Sequence, residues 1–175
     1  VPLSSGCYWR RCLFCPDRAL PYSQVPLGAL EQLLDTMPPE VRDHHPVLHL
    51  IDSALPPAVL DRELPLFQDH GVQLFGFSRP TGHWLAKDRL HRFAEAGGLM
   101  VQLGVESASS ALLEQYRKGI DPKEAEAVIA AAAEAGVRTY LYLLFGLPGE
   151  GPEDREATRD LLCRQGENID FLNIS

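Results

Sequence analysis

The feature that most constrains the fold is a repeated junction at which a helical segment ends in glycine and an apolar strand begins at once. The junction occurs at Gly71, at Gly97-Gly98 and at Gly136. Glycine adopts the left-handed backbone that ends a helix without a steric penalty, so the chain can turn directly into a strand. Strands that are apolar on both faces are typical of parallel sheets covered by helices. The repeated junction therefore predicts an α/β fold.

Six strand–helix units follow one another along the chain, the sixth without its helix. The strands are predicted at Val1–Ser4, Val47–Ile51, Gln73–Phe77, Met100–Val105, Thr139–Phe145 and Phe171–Ile174. The helices are predicted at Leu27–Met37, Pro57–Gln68, Lys87–Ala96, Lys123–Ala135 and Glu153–Arg164, with a helical turn at Ala111–Tyr116. The pattern favours a partial (β/α)6 TIM-like barrel, with all-parallel strands and outer helices, over a dinucleotide-binding sheet. We expect the strands to lie in chain order, with an opening between the first and the last.

Composition limits the size and the partners of the protein. The 175 residues, 45% of them hydrophobic, are enough for one domain with a sizeable core and too few for two ordinary ones. A formal charge of −8, from 16 Lys and Arg against 24 Asp and Glu, disfavours broad binding of nucleic-acid backbones. No apolar run approaches the roughly 20 residues of a membrane span. Because a cysteine motif begins so close to Val1, we expect residues 1–175 to be one domain of a longer protein whose flanking domains are absent.

Polar or backbone-exposing residues follow four successive predicted strands. In βα barrels the working residues lie at the carboxyl ends of the strands and in the loops after them. The residues at these positions are Asp52-Ser53, Ser78-Arg79, Glu106-Ser107 and Gly146-Leu147-Pro148-Gly149-Glu150. We expect them to meet at one rim of the barrel. Arg117-Lys118-Gly119, after the helical turn, either binds a cofactor carboxylate or caps the turn with cations, and the cap is favoured.

Three cysteines follow the first predicted strand with the spacing C-x4-C-x2-C. They are Cys7, Cys12 and Cys15, whereas Cys163 lies far away in a helical segment. Clustered cysteines in a chain without secretory signals more often bind metal than form disulfides, which indicates a reducing cytoplasm. Thiolates suit iron–sulfur clusters and zinc, and a [4Fe–4S] cluster needs a fourth ligand. Either Cys163 completes the set or one iron accepts a non-protein ligand; we expect Cys163 to be a small core residue.

Three motifs resemble those of the radical S-adenosylmethionine (radical SAM) superfamily. They are Gly6-Cys7…Cys12-Leu13-Phe14-Cys15, Gly104-Val105-Glu106-Ser107 and Phe145-Gly146-Leu147-Pro148-Gly149-Glu150, and the resemblance covers essentially the whole chain. It implies that three cysteines hold a [4Fe–4S] cluster whose fourth iron is chelated by S-adenosylmethionine. The reduced cluster would then cleave this cofactor to a 5′-deoxyadenosyl radical. An electron donor such as flavodoxin or ferredoxin is implied as a partner, and the substrate is left open.

The resemblance also implies roles for single residues. Cys7, Cys12 and Cys15 match the cluster ligands, and Phe14 matches an aromatic residue that packs near the adenine. Asp52 and Ser53 match the strand end that contacts the methionine amino group, although the family usually has a Gly-Gly-Glu-like run there. Glu106 and Ser107 match the approach to the ribose hydroxyls. Gly146, Leu147 and Gly149 match the segment whose backbone lies along the adenine.

Some assignments have alternatives. Ser78 and Arg79 are also placed at the cofactor, with Arg79 either pairing with its carboxylate or remaining a solvated loop charge. The family's commonest cysteine spacing has three residues between the first two cysteines, and the Gly-Cys-Tyr-Trp form found here is similar to that of members with a cobalamin-binding domain. Cobalamin bound by an absent domain is therefore a further candidate cofactor. The competing functions are an iron–sulfur electron-transfer protein and a zinc-stapled binding domain.

Overall fold

The computed structural model describes residues 1–175. Its strands are β1 (Ser4–Ser5), β2 (Ser23–Gln24), β3 (Val47–Leu50), β4 (Gln73–Ser78), β5 (Gly98–Glu106), β6 (Arg138–Leu143) and β7 (Phe171–Ile174). Its helices are α1 (Ala29–Asp35), α2 (Pro39–Arg42), α3 (Pro57–Asp69), α4 (Arg89–Glu95), α5 (Ser110–Gln115), α6 (Pro122–Glu134) and α7 (Pro152–Gln165). Short 3-10 helices lie at Pro16–Ala19, Ala86–Asp88 and Gly166–Asn168.

Five of the strands form one parallel sheet in the order β3-β4-β5-β6-β7. The spatial order equals the chain order, which confirms the predicted α/β barrel-type topology. Each connection crosses over the sheet through a helix, because neighbouring parallel strands need a connection long enough to return the chain to the same edge. The carboxyl ends of β4, β5 and β6 therefore lie next to one another, so the residues that follow these strands lie at one edge of the sheet.

The predicted first strand, Val1–Ser4, is not a strand of this sheet. Val1 alone lies beside β3, where its amino group donates to the His49 carbonyl at 2.7 Å and its carbonyl accepts from the Ile51 amide at 3.1 Å. From Leu3 onward the chain bonds instead to the Asp52 side chain. The following β1 pairs with β2 in the antiparallel sense, so the prediction of all-parallel strands is wrong for this two-residue pair.

All the predicted helices are present in the predicted order, with two differences. The first predicted helix, residues 27–37, is shorter in the structure, and the unpredicted α2 follows it. Proline occupies the first position of α2, where its missing amide proton costs nothing. None of the helices has the length and apolar character needed to cross a membrane.

The two faces of the sheet have different surroundings. On β4, Leu74, Gly76 and Ser78 are buried on the helix-covered face, while Phe75 and Phe77 on the opposite face are half-buried. The opposite face carries aromatic pairs: His49 stacks on Phe75 at 4.3 Å, Phe77 meets Tyr142 at 5.4 Å and Tyr140 stacks on Tyr142 at 4.9 Å. The helices thus cover the face of Leu74, Gly76 and Ser78, and aromatic side chains line the other face, which is the interior in a barrel of this type.

Two glycine junctions allow a matched test of the fold. Gly97 and Gly136 both follow a helix with positive φ, +91° and +72°. A Cβ at Gly97 would lie 2.2 Å from the Val72 carbonyl oxygen, whereas one at Gly136 would meet nothing within 4 Å. We expect Gly136→Ala to cost about 1–2 kcal/mol for the left-handed backbone, and Gly97→Ala to cost about 1–3 kcal/mol more through overpacking. Urea unfolding measures both, and equal losses would contradict the predicted collision.

Candidate functional site

The three clustered cysteines lie in the loop between β1 and the 3-10 helix Pro16–Ala19. Cys7, Cys12 and Cys15 are half-buried free thiols, and the Cys15 amide donates to the Cys12 carbonyl at 3.3 Å. Burial raises the pKa of the Cys12 thiol; the cations of Lys118 and Arg79 oppose this shift, and the charges of Cys15 and Cys7 add to it. The loop therefore brings the three thiols together beside two cations from other parts of the chain.

The cysteine loop does not form a site for a single metal ion in this structure. No three Cys, His, Asp or Glu side chains lie close enough to enclose one metal ion. A tetrahedral zinc site needs four ligands around one centre. In a [4Fe–4S] cluster each thiolate binds a different iron, so three thiols that do not surround one centre are compatible with such a cluster.

Cys163 does not have the predicted environment. It is exposed on α7, so the expectation that it is a core residue was wrong. The buried residues of α7 are Thr158 and Leu161, which are three positions apart on one helical face. Cys163 comes two residues after Leu161 and therefore lies on the opposite, solvent-facing side.

Glu106 ends β5 and forms a buried ion pair. Its side chain is 9% exposed, that of Lys118 is 4% exposed, and Lys118 Nζ donates to Glu106 Oε1 at 2.7 Å. The strand ladder shifts register between Gly104 and Glu106, and Glu106 has φ of +65°. A Cβ at Gly104 would lie 2.7 Å from Glu106 Oε1, so the glycine leaves room for the carboxylate. The prediction that Lys118 caps the helical turn was wrong, because its ammonium is buried against Glu106.

Ser78 and Arg79, at the carboxyl end of β4, form hydrogen bonds within the protein. Ser78 accepts a hydrogen bond from Trp84 Nε1 at 2.9 Å. Arg79 is buried and donates through Nη2 to the Lys118 carbonyl at 2.5 Å and to the Gly119 carbonyl at 2.7 Å. The alternative of a solvated loop charge is thereby excluded for Arg79.

The residues after β3 and β5 also make internal bonds. Asp52 is buried and accepts from the Leu3 amide at 2.9 Å and from the Ser4 hydroxyl at 2.6 Å, one bond to each carboxylate oxygen. Ser53 is half-buried. Ser107 is buried; its hydroxyl accepts from the Ser109 amide at 3.1 Å and lies 3.3 Å from Thr158 Oγ1.

The segment after β6 is tied to α5 and to the cysteine loop. The Gly146 amide donates to Glu150 Oε2 at 2.6 Å, and Gly149 has φ of +92°. The Pro148 carbonyl accepts from Gln115 Nε2 at 2.9 Å and from the Tyr116 hydroxyl at 2.8 Å. The Tyr116 ring lies 6.0 Å from that of Phe14.

Sequence reasoning missed Tyr116 and assigned Lys118 to a helix cap. Tyr116 joins Phe14 to the Gly146–Gly149 segment, and Lys118 Nζ lies 5.7 Å from the centre of the Phe14 ring as well as beside Glu106. Both sit in the connection between α5 and α6, a segment without a strand-end position. Its one sequence cue is the Arg-Lys-Gly run, which is equally typical of a helix cap.

The model of the Radical SAM superfamily matches residues 1–162. This chain belongs to the radical SAM superfamily. It is therefore the core of a radical SAM enzyme, and [4Fe–4S] and S-adenosylmethionine are the cofactors typical of that superfamily. Enzymes of the superfamily require a reductant. The matched range contains Cys7, Cys12 and Cys15 and ends one residue before Cys163.

Solved radical SAM structures share the fold. The methyltransferase TsrM from Kitasatospora setae, with cobalamin and [4Fe–4S] cluster bound, has a TM-score of 0.83 at 20% identity, covering 100% of this chain and 36% of that one. The cobalamin-dependent enzyme OxsB has a TM-score of 0.74 at 20% identity, covering 93% and 26%. Methylornithine synthase (PylB) has a TM-score of 0.69 at 17% identity, covering 100% and 51%. The radical SAM chain thus spans between about a quarter and a half of the length of these proteins. Among the curated proteins, none matches its sequence significantly.

Proposed function

We propose that this radical SAM core binds a [4Fe–4S] cluster through Cys7, Cys12 and Cys15 and holds S-adenosylmethionine beside it. The observation that carries the proposal is the position of Cys12 next to the cations of Arg79 and Lys118. Three thiolates bring negative charge, which nearby cations offset in a partly buried site. When bound and reduced, such a cluster supplies the electron that cleaves S-adenosylmethionine to a 5′-deoxyadenosyl radical.

Glu106 is the residue we assign to the ribose hydroxyls. Lys118 occupies Oε1 of its carboxylate, which leaves Oε2 to accept hydrogen bonds from the cofactor. Lys118 also compensates the charge of Glu106 in this buried site, because the two groups form an ion pair at 2.7 Å. Ser107 supports this assignment by holding the chain after β5 against α7.

The adenine is assigned to the surface formed by Phe14 and the Gly146–Gly149 segment. Gly146 and Gly149 are exposed and Leu147 is half-buried, so main-chain groups of this segment are open to a ligand. A flat base stacks on an aromatic ring and hydrogen-bonds to backbone groups, which requires small residues in the segment. Tyr116 keeps the two parts of this surface together.

The methionine amino group is assigned to the strand end at Asp52 and Ser53. Because each Asp52 oxygen already accepts a bond from the first residues of the chain, Ser53 is the residue available to the cofactor. Ser78 and Arg79 complete the rim. Arg79 lies close enough to Cys12 to act on it electrostatically, but its Nη2 is already bound to two carbonyls.

The reductant is proposed to be an acidic carrier such as flavodoxin or ferredoxin. Four exposed arginines, Arg10, Arg11, Arg18 and Arg117, lie in the cysteine loop or next to its contacts, although the chain carries a net charge of −8. Opposite charges on two partners steer their encounter and set its orientation. A cationic surface over the cluster would therefore favour an acidic donor.

A cobalamin-dependent reaction is the second candidate. It is supported by the fold likeness to TsrM and OxsB, whose structures contain cobalamin, and by the Gly6-Cys7-Tyr8-Trp9 form of the motif. We assign the cobalamin to a domain outside residues 1–175. Its presence is tested by the absorption spectrum of the full-length protein purified from cells supplied with cobalamin; a spectrum without corrinoid bands excludes this candidate.

The primary function is tested by anaerobic reconstitution with iron and sulfide, followed by addition of S-adenosylmethionine and a chemical reductant. We expect the electron paramagnetic spectrum of the reduced cluster to change on cofactor addition and 5′-deoxyadenosine to accumulate. Cys12→Ala is the matched control and should give neither result. A loaded cluster whose spectrum is unaffected by S-adenosylmethionine, with no 5′-deoxyadenosine formed, would favour the electron-transfer alternative.

A further inference from the structure

The cysteine loop is attached to the rest of the fold through Trp9. The indole Nε1 donates to the Arg117 carbonyl at 2.9 Å, and the guanidinium carbon of Arg79 lies 4.0 Å from the centre of the indole ring. A Cβ at Gly119 would lie only 2.0 Å from Cζ2 of the indole, so the ring rests directly on this glycine. We call the arrangement of Trp9, Arg79 and Gly119 the Trp9 latch.

Arg79 is itself held firmly. It is 5% exposed, and its two bonds to the Lys118 and Gly119 carbonyls fix the guanidinium plane against the indole. A planar guanidinium can donate two directed hydrogen bonds while stacking on an aromatic face, and a lysine ammonium cannot do both in the same way. Gly119 has φ of +63°, which also favours glycine at this position.

A second attachment lies in the other half of the loop. The Leu13 amide donates to the Tyr116 carbonyl at 2.9 Å. Trp9 stands between Cys7 and Cys12, and Leu13 stands between Cys12 and Cys15. Each interval between cysteines is therefore anchored to the 116–119 segment, and neither anchor uses a thiol.

We propose that Arg79, acting through Trp9 and Gly119, is a positioning residue that keeps the cysteine loop in its folded conformation independently of the cluster. The loop is then preorganised for iron–sulfur binding, so little ordering of the chain accompanies cluster assembly. This inference rests on the proposed function only in naming the cluster as the ligand. The conformation of the loop itself can be tested without any cluster.

The test uses Arg10 and Arg11, exposed residues of the loop at which trypsin cuts once the loop opens. We expect trypsin to cleave the cluster-free Arg79→Lys protein after Arg10 or Arg11 at least tenfold faster than the cluster-free parent. The sites are identified by mass spectrometry. Arg89→Lys is the matched control, because Arg89 is also a buried arginine but binds Asp61 at 2.7 Å, away from the loop. It should leave loop cleavage unchanged.

Two further variants keep the test decisive. Trp9→Leu opens the latch from the loop side and leaves Arg79 in place. We expect the same rise in the rate of loop cleavage in this variant, which therefore tests the latch even if Arg79→Lys folds poorly. The triple variant Cys7→Ala/Cys12→Ala/Cys15→Ala should remain as resistant as the parent, since the latch uses no thiol. Equal cleavage rates in the Arg79, Trp9 and parent proteins, or rapid cleavage of the triple variant, would overturn the proposal.

A cluster readout separates this proposal from the proposed function. Reconstituted Arg79→Lys should reach the same iron content as the parent but release iron to a chelator severalfold faster. If neither the parent nor any variant loads iron, the proposed cluster binding is wrong. The protease result alone then tests the positioning role of Arg79. Iron release at the parental rate, together with normal loop protection, would exclude a positioning role for Arg79.

Discussion

Cys12→Ala is expected to abolish iron–sulfur loading, from about four irons and four sulfides per chain in the reconstituted parent to nearly none. Cys12 is the middle cysteine of the loop, and the cations of Lys118 and Arg79 oppose the burial that raises the pKa of its thiol. Two remaining thiolates are too few to hold a cluster whose fourth iron is left to a non-protein ligand. Iron and sulfide assays and the electron paramagnetic spectrum measure the loss.

Cys163→Ala is the control for this prediction. The thiol is exposed on the outer side of α7, so its removal should leave the iron and sulfide contents at the parental value. Loss of the cluster in this variant would show that Cys163 is the fourth ligand and that the three-cysteine assignment is wrong. A normal iron and sulfide content in Cys12→Ala would likewise contradict the assignment of Cys12 as a cluster ligand.

Glu106→Ala is expected to lower the free energy of unfolding by about 3–5 kcal/mol, because it leaves the Lys118 ammonium buried without its partner. Both side chains are at least nine-tenths buried, so solvent does little to screen the pair. Glu106→Gln keeps the shape and an acceptor oxygen and should lose less. Replacing both residues, as in Glu106→Gln/Lys118→Met, should recover most of the stability, since no uncompensated charge remains. Urea unfolding of the variants measures these differences.

The same variants test the ribose assignment. Loss of a charged acceptor should cost about 1.5–3 kcal/mol of binding, or roughly ten- to a hundredfold in affinity for S-adenosylmethionine. We expect Glu106→Gln to retain part of the binding that Glu106→Ala loses. Calorimetric titration at equal cluster content, and at a temperature where each variant is folded, gives the affinities. Parental affinity in Glu106→Ala would mean that β5 does not hold the ribose.

The order of the elements and the position of polar residues at the strand ends could be predicted from the sequence. Glycines such as Gly97 and Gly136 end helices through their own backbone freedom, which is a local property. Parallel strands bring their carboxyl ends to one edge, so a polar residue directly after a strand, such as Glu106, is placed by topology alone. The spacing of Cys7, Cys12 and Cys15 is likewise local, and it predicts an iron–sulfur ligand set.

The features that the sequence did not predict depend on contacts between distant segments. Cys163 and Leu161 belong to the same helix, and only the packing of α7 decides which of them is buried. The Leu3 amide donates to the side chain of Asp52, 49 residues further along the chain, and not to a neighbouring strand. The predicted first strand therefore ends before Leu3, although its local sequence favours a longer strand. Lys118 is buried because β5 delivers a carboxylate beside it, and Arg79 is buried because two carbonyls 39 and 40 residues further along the chain accept its hydrogen bonds. A charged side chain has no local preference for burial, so its partner, and with it its role at this site, is decided by the tertiary structure.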